Sequence, residues 1–118
     1  MTRPAARWAA VLGWAGLLFF LSSRSQLPGP EVRFLDKVEH AAAYAVLAFL
    51  LGRAWTPSLV RFPLRARTSL IVLACMLYGV SDEVHQAFVP GRSADPLDVV
   101  ADTVGAALCV LGLRRRLP

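Results

Sequence analysis

Four runs of apolar residues divide the chain: Trp8 to Leu21, Ala41 to Gly52, Leu70 to Val80 and Val99 to Leu113. The segments between them hold most of the arginines and prolines. A helix on the surface of a soluble bundle needs a polar face along its whole length. The third run, Leu-Ile-Val-Leu-Ala-Cys-Met-Leu-Tyr-Gly-Val, is apolar all round, and so is the first apart from Gly13 and Gly16. Only Asp102 and Thr103 interrupt the fourth. Each run is shorter than the roughly 20 residues that cross about 30 Å of hydrocarbon, so polar residues at the ends must complete the span. The pattern therefore predicts an all-α fold: a polytopic membrane protein with four transmembrane helices in a compact bundle, near residues 5–23, 37–55, 68–89 and 96–113.

Composition points the same way. Of 118 residues, 56% are hydrophobic and 18% charged, against about 45–50% and 25% in soluble domains. That apolar content excludes a disordered chain, and the length leaves room for a single domain over residues 1–118. Cys75 and Cys109 are too few for a disulfide scaffold and are expected to pack as small residues. Arg3 and Arg7 ahead of the first run resemble the start of a signal peptide, but Ser22-Ser23-Arg24-Ser25-Gln26 offers no small-residue cleavage site, so the segment is read as retained.

The net charge of +5 would suggest nucleic acid in a soluble protein, but the placement of the arginines gives it another meaning. Arg3 and Arg7, then Arg53, Arg61, Arg65 and Arg67, then Arg114-Arg115-Arg116 fall on one side of the alternating spans. Arg24, Arg33, Lys37 and Arg92 fall on the other. The positive-inside rule then predicts both termini in the cytoplasm and the loops around Gly29 and Gly91 outside. The charge reads as a topology and anionic-lipid signal, with no nucleic-acid partner.

With the third helix running outward from Thr68, Asp82 lies about 21 Å along it, short of the outer hydrocarbon edge. Asp82, His85 and Gln86 share a face at i, i+3 and i+4. Glu83, beside that face, is expected to bond Lys37 or Arg92. Asp36, His40 and Tyr44 form a stripe at the outer end of the second helix, and Asp98, Asp102 and Gly105 one on the fourth. Carboxylates at such depth must face one another, water or a ligand. Asp98 and Asp102 would find partners in Arg92 or Tyr44. Asp36 with Glu39 reads as a capping box, and Asp95-Pro96 with Asp98 as an N-cap, first-turn proline and first-turn acid. Gly79, Gly105 and Gly112 are expected to allow close helix approach.

These residues carry a resemblance. Asp36-Lys37-x-x-His40-x-x-x-Tyr44, then Ser81-Asp82-Glu83-x-His85-Gln86-x-Phe88-x-Pro90-Gly91-Arg92, then Asp98-x-x-x-Asp102-x-x-Gly105 resemble the successive motifs of the VanZ-like family, over roughly residues 22–112. The family takes its name from a protein associated with resistance to the glycopeptide teicoplanin. The resemblance implies a small four-helix protein of the bacterial cytoplasmic membrane, its polar cluster toward the exterior, with Asp36, Lys37, His40, Tyr44, Asp82, Glu83, Gln86, Arg92, Asp98, Asp102 and Gly105 at the signature positions. Cys109 departs from the glycine more usual among such sequences.

The residue types suggest chemistry on lipid headgroups or lipid-linked phosphates, either phospholipid or an undecaprenyl-type lipid phosphate, by phosphodiester transfer or hydrolysis. His40 or His85 would act on the attacking or leaving group, with Glu83 and Asp102 in the same catalytic set. Asp82 and Asp98 would orient it or, with Asp102, hold a divalent cation, since carboxylates suit magnesium, calcium or manganese. Arg92 would bind phosphate, with Lys37, Tyr44, Gln86 and Asp36 completing the substrate contacts. Two other readings stand: a non-enzymatic protein that binds a glycopeptide or other envelope ligand, and a small transporter or proton relay.

Overall fold

The structure, a computed structural model, describes residues 2–23, 33–114 and 116. Arg24, Gly29 and Arg115, invoked above for topology, lie outside the described residues, as does the stretch Ser25-Gln26. The fold is all-α, in the order α1 (Arg3–Ser22), α2 (Arg33–Leu59), α3 (Leu64–Gln86) and α4 (Pro96–Leu113).

The ends follow local chemistry. Thr2 caps α1, its Oγ1 accepting the Ala5 N–H at 3.3 Å. Asp95 caps α4 through the Leu97 N–H, with Pro96 supplying a fixed φ in the first turn. Both ends of α2 and of α3 differ from the sequence pattern, α2 running on to Leu59 rather than 55 and α3 starting at Leu64 rather than 68. Helix α2 begins at Arg33 rather than near residue 37, so Asp36 lies in the first turn instead of serving as the cap. An acid there still meets the positive end of the helix dipole. Helix α3 ends at Gln86 rather than 89, because Pro90 and Gly91 turn the chain, and Gly91 takes φ 79°, a conformation that only glycine adopts freely.

Contacts between helices fix their directions. Trp14 Nε1 donates to the Ala43 carbonyl at 2.9 Å and Arg7 Nη1 to the Arg53 carbonyl at 3.3 Å, so α1 and α2 are antiparallel. The second bond has a local cause: Pro57, four residues on, has no N–H for that carbonyl, and the freed acceptor is taken by Arg7. Tyr78 Oη donates to the Ala15 carbonyl at 2.5 Å, which aligns α3 with α1. The most extensive pairing joins α2 to α4 in parallel. At its heart a Cβ on Gly105 would stand 2.0 Å from the Ala41 carbonyl oxygen, so only glycine permits the approach. Gly79 faces Asp102 in the same way, whereas Gly112 meets nothing within 4 Å, and the close approach expected there is absent.

The core between the helices is small: Tyr44, Leu47, Ala48, Ile71, Cys75, Ala106 and Val110 are its centre. Many large apolar residues instead face outward, among them Leu12, Phe19, Phe20, Leu77, Val84, Leu108 and Leu111. Helices α1, α3 and α4 are long and apolar enough to cross a membrane, with mean hydropathies of 1.4, 1.3 and 1.7. Helix α2, which carries Asp36, Lys37, His40 and Arg53, is not in that set and packs against all three others. The parallel α2–α4 pair therefore turns Tyr44, Asp98 and Asp102 inward while apolar sides of α1, α3 and α4 face out.

Candidate functional site

At the end of the bundle where α2 and α4 begin, their first turns interlock through charge. Lys37 Nζ donates to Asp95 Oδ2 at 2.7 Å and to Asp98 Oδ1, and lies 3.5 Å from Asp36 Oδ2. Asp95 thus uses its two oxygens separately, Oδ1 to cap α4 and Oδ2 to hold Lys37. One turn deeper, His40 Nδ1 meets Asp102 Oδ1 at 2.8 Å. A carboxylate only accepts, so Nδ1 carries a proton, and whenever the ring is neutral its lone pair is on Nε2. Nε2 points toward Asp98 Oδ2 at 3.6 Å and Asp36 Oδ1 at 3.9 Å. Those separations are too long for direct hydrogen bonds. Asp102 is 0% exposed, and the ring it orients is half-buried.

Helix α3 closes the third side. Glu83 Oε2 accepts the Asp95 N–H at 2.9 Å, tying α3 to the cap of α4. The Lys37 or Arg92 bond expected for Glu83 is therefore replaced: a backbone donor that would otherwise be lost at the helix entry claims it. Asp98 and Asp102 likewise find Lys37 and His40, not Arg92 or Tyr44. Asp82 and Gln86 are buried on the same side of α3, with Asp82 in electrostatic reach of His40 and Arg92. Arg92 forms no ion pair among the described residues and is half-buried in the turn that joins α3 to α4.

His85 goes elsewhere. Its ring stacks on Phe19 with centroids 4.4 Å apart and planes 13° off parallel, and Nδ1 lies 3.1 Å from Ser22 Oγ. It faces α1, while His40 faces α4, so the two histidines occupy different corners. Ser22, which lies beside both His85 and Asp82, and Asp95, read from the sequence only as a cap, are the members that pattern missed. Asp95 in front of Pro96 looks complete as a cap, so its second oxygen carried no separate signal.

At this end of the bundle three buried polar atoms lack a hydrogen-bond partner among the described residues: Tyr44 Oη, Asp102 Oδ2 and Glu83 Oε1. An unpaired buried polar atom is costly, so such a group marks a place where polar matter is expected to enter. The cation arrangement differs from the Asp82, Asp98 and Asp102 set. Among the described residues, Asp36, His40 and Asp98 offer ligand atoms within 4.8 Å of one another. Lys37 already holds Asp98, so a dication there would have to displace its ammonium.

These features define a small helical protein of membrane type, with a histidine–aspartate pair set in an acidic cluster at one end of a four-helix bundle. The sequence profile of the VanZ/LLP1 family matches residues 7–116, and the chain belongs to that family. Among curated proteins and among solved structures, none matches the chain.

Proposed function

We propose that this protein crosses the bacterial cytoplasmic membrane four times, with both termini inside, and acts at the outer surface on lipid headgroups or lipid-linked phosphates by phosphodiester transfer or hydrolysis. The observation that carries the reading is the His40–Asp102 pair: a fully buried carboxylate orients an imidazole whose second nitrogen faces the carboxylates of Asp36 and Asp98. A histidine held this way moves protons efficiently.

The attacking oxygen, from water or an acceptor alcohol, forms a new bond to phosphorus while the bond from phosphorus to the departing oxygen breaks. The proton leaves the attacker and ends on the departing group, and His40 Nε2 carries it between them. Arg92, which forms no ion pair among the described residues, supplies positive charge for the phosphate. Carboxylates outnumber cations here, with Asp36, Asp82, Glu83, Asp95, Asp98 and Asp102 against Lys37 and Arg92. The site therefore favours a headgroup that brings a positive charge with its phosphate, as an ammonium or a bound divalent cation. A dication held by Asp36, His40 and Asp98 would occupy Nε2, so it would replace proton transfer by His40 and would act by neutralising phosphate charge.

The test is incubation of the purified protein with labelled phosphatidylethanolamine, phosphatidylglycerol and undecaprenyl-type lipid phosphate, with and without EDTA. Headgroup change that disappears in both His40→Asn and Asp102→Asn is the expected result. Saturable binding without turnover on any of them would replace the enzymatic reading with a binding one. For topology, reporters fused after Phe62 and after Gly91 are expected to report cytoplasm and exterior respectively, and the reverse pattern would overturn the orientation.

A further inference from the structure

The opposite end of the bundle has its own chemistry. A cavity of about 250 Å³ opens between α2 and α4, with contributions from the start of α1 and from Ile71 of α3. Its rim carries three guanidinium groups, Arg7, Arg53 and Arg116, and its walls are largely apolar. Thr56 lines the cavity, is 0% exposed, and its Oγ1 has no hydrogen-bond partner among the described residues. Arg67, one turn ahead of Ile71 on the same face of α3, has buried Nε and Nη1 atoms that also lack partners.

No described carboxylate reaches this end, because Asp36, Glu39, Asp82, Glu83, Asp95, Asp98 and Asp102 all belong to the other half of the bundle. Arginines gathered without acids repel one another, and a buried hydroxyl without a partner carries a desolvation cost. One ligand relieves both: an anion that reaches the rim with its charge and the cavity floor with an acceptor oxygen. We propose that this cavity binds the phosphate headgroup of an anionic phospholipid, with the guanidinium groups on the phosphate and Thr56 Oγ donating to a headgroup oxygen.

The size supports a headgroup rather than a whole lipid, since drug-sized ligands occupy about 300 Å³ or more. The acyl chains then lie outside, where α4 beside the cavity exposes Leu108 and Leu111. Phe49 at the rim already places its ring under Arg53, 5.7 Å from the guanidinium carbon to the ring centroid, which joins an apolar surface to a cation as a lipid interface requires. Basic pockets between membrane helices are suited to anionic headgroups. The inference is independent of the chemistry proposed at the acidic end, because it shares none of those residues.

Cys109 provides the readout. It lines the cavity and is half-buried, whereas Cys75 is fully buried. The full-length protein would be placed in nanodiscs of phosphatidylcholine, with or without phosphatidylglycerol. Alkylation of Cys109 by the uncharged reagent N-ethylmaleimide would then be followed by peptide mass spectrometry. Phosphatidylglycerol is expected to slow the reaction several-fold. The protection should vanish in the Arg53→Gln, Arg116→Gln double variant and weaken in Thr56→Val but persist in Thr56→Ser. The single variant Arg116→Gln, at an exposed position beyond the end of α4, should weaken it too. Equal rates in the two lipids, or undiminished protection in the double variant, would overturn the proposal. So would equal protection by inorganic phosphate or glycerol phosphate in phosphatidylcholine discs, which would make the ligand a soluble anion.

Discussion

Gly105→Ala adds one methyl group and should dismantle the site from below. Its Cβ would lie 2.0 Å from the Ala41 carbonyl oxygen, 2.6 Å from the carbonyl carbon and 2.7 Å from Cα. Carbon and oxygen settle at about 3.3 Å even in favourable contacts, so α2 and α4 must part locally by about 1.3 Å. Ala41 follows His40, and Gly105 lies one turn beyond Asp102, so the displacement falls on the 2.8 Å bond between them and takes it to about 4 Å, where no hydrogen bond survives. Overpacking costs about 1–3 kcal/mol, and a lost hydrogen bond to a charged group about 1.5–3 kcal/mol more. Gly112→Ala is the matched control, because a Cβ there meets nothing within 4 Å. It should be neutral or gain up to about 1 kcal/mol from helix propensity. Denaturation in detergent followed by far-UV circular dichroism measures both variants, and the ¹⁵N signal of His40 Nδ1 reports the bond. Equal stability of the two variants, or an unchanged Nδ1 signal in Gly105→Ala, would refute the idea that helix approach seats His40 on Asp102.

Two further outcomes follow from the charge network. Lys37→Met strands Asp98 and Asp95 and should cost about 1–3 kcal/mol; adding Asp98→Asn should restore part of that loss, and additive effects in a denaturation cycle would show that the pair is uncoupled. Asp95→Asn keeps the cap on Leu97 and loses only charge toward Lys37, so it should destabilise less than Asp95→Ala, which also loses a cap worth about 1 kcal/mol; equal losses would remove the cap from the account.

Much of the arrangement could be read from spacing. Four helices followed from four apolar runs, and α4 begins at Pro96 as Asp95-Pro96 indicates, because cap chemistry is local. The ends of α2 and α3 were less legible: Asp36 with Glu39 has the form of a capping box, but a first-turn acid satisfies the same dipole, and length requirements say nothing about the turn at Pro90-Gly91. Spacing put Asp36 and His40 on one stripe and Asp98 and Asp102 on another, yet which stripe meets which depends on the α2–α4 crossing. That crossing rests on the carbonyl of Ala41, a residue with no distinguishing side chain. His85 shows the converse. It shares a helical face with Asp82 in sequence, but the Phe19 ring and Ser22 draw it to α1, and a stacking partner more than sixty residues away leaves no periodic trace.

The parallel α2–α4 pair also explains why charge is sorted so sharply between the two ends. Adjacent helices that run the same way set like dipole ends beside each other, about half a positive charge at each amino end and half a negative charge at each carboxyl end. Left alone, that arrangement is repulsive at both ends. Asp36, Asp95 and Asp98 sit in or before the first turns, where they offset the amino ends, and Lys37 then keeps the carboxylates from repelling one another. At the far end α4 runs into Arg114 and Arg116, and Arg53 lies near the close of α2. Here the cations exceed what two half-charges can absorb, and no described acid makes up the difference. The acidic end keeps a surplus of carboxylates and unpartnered polar atoms on Tyr44, Glu83 and Asp102. The basic end is left with a positive surplus, and an anion from outside the chain is the means of meeting it.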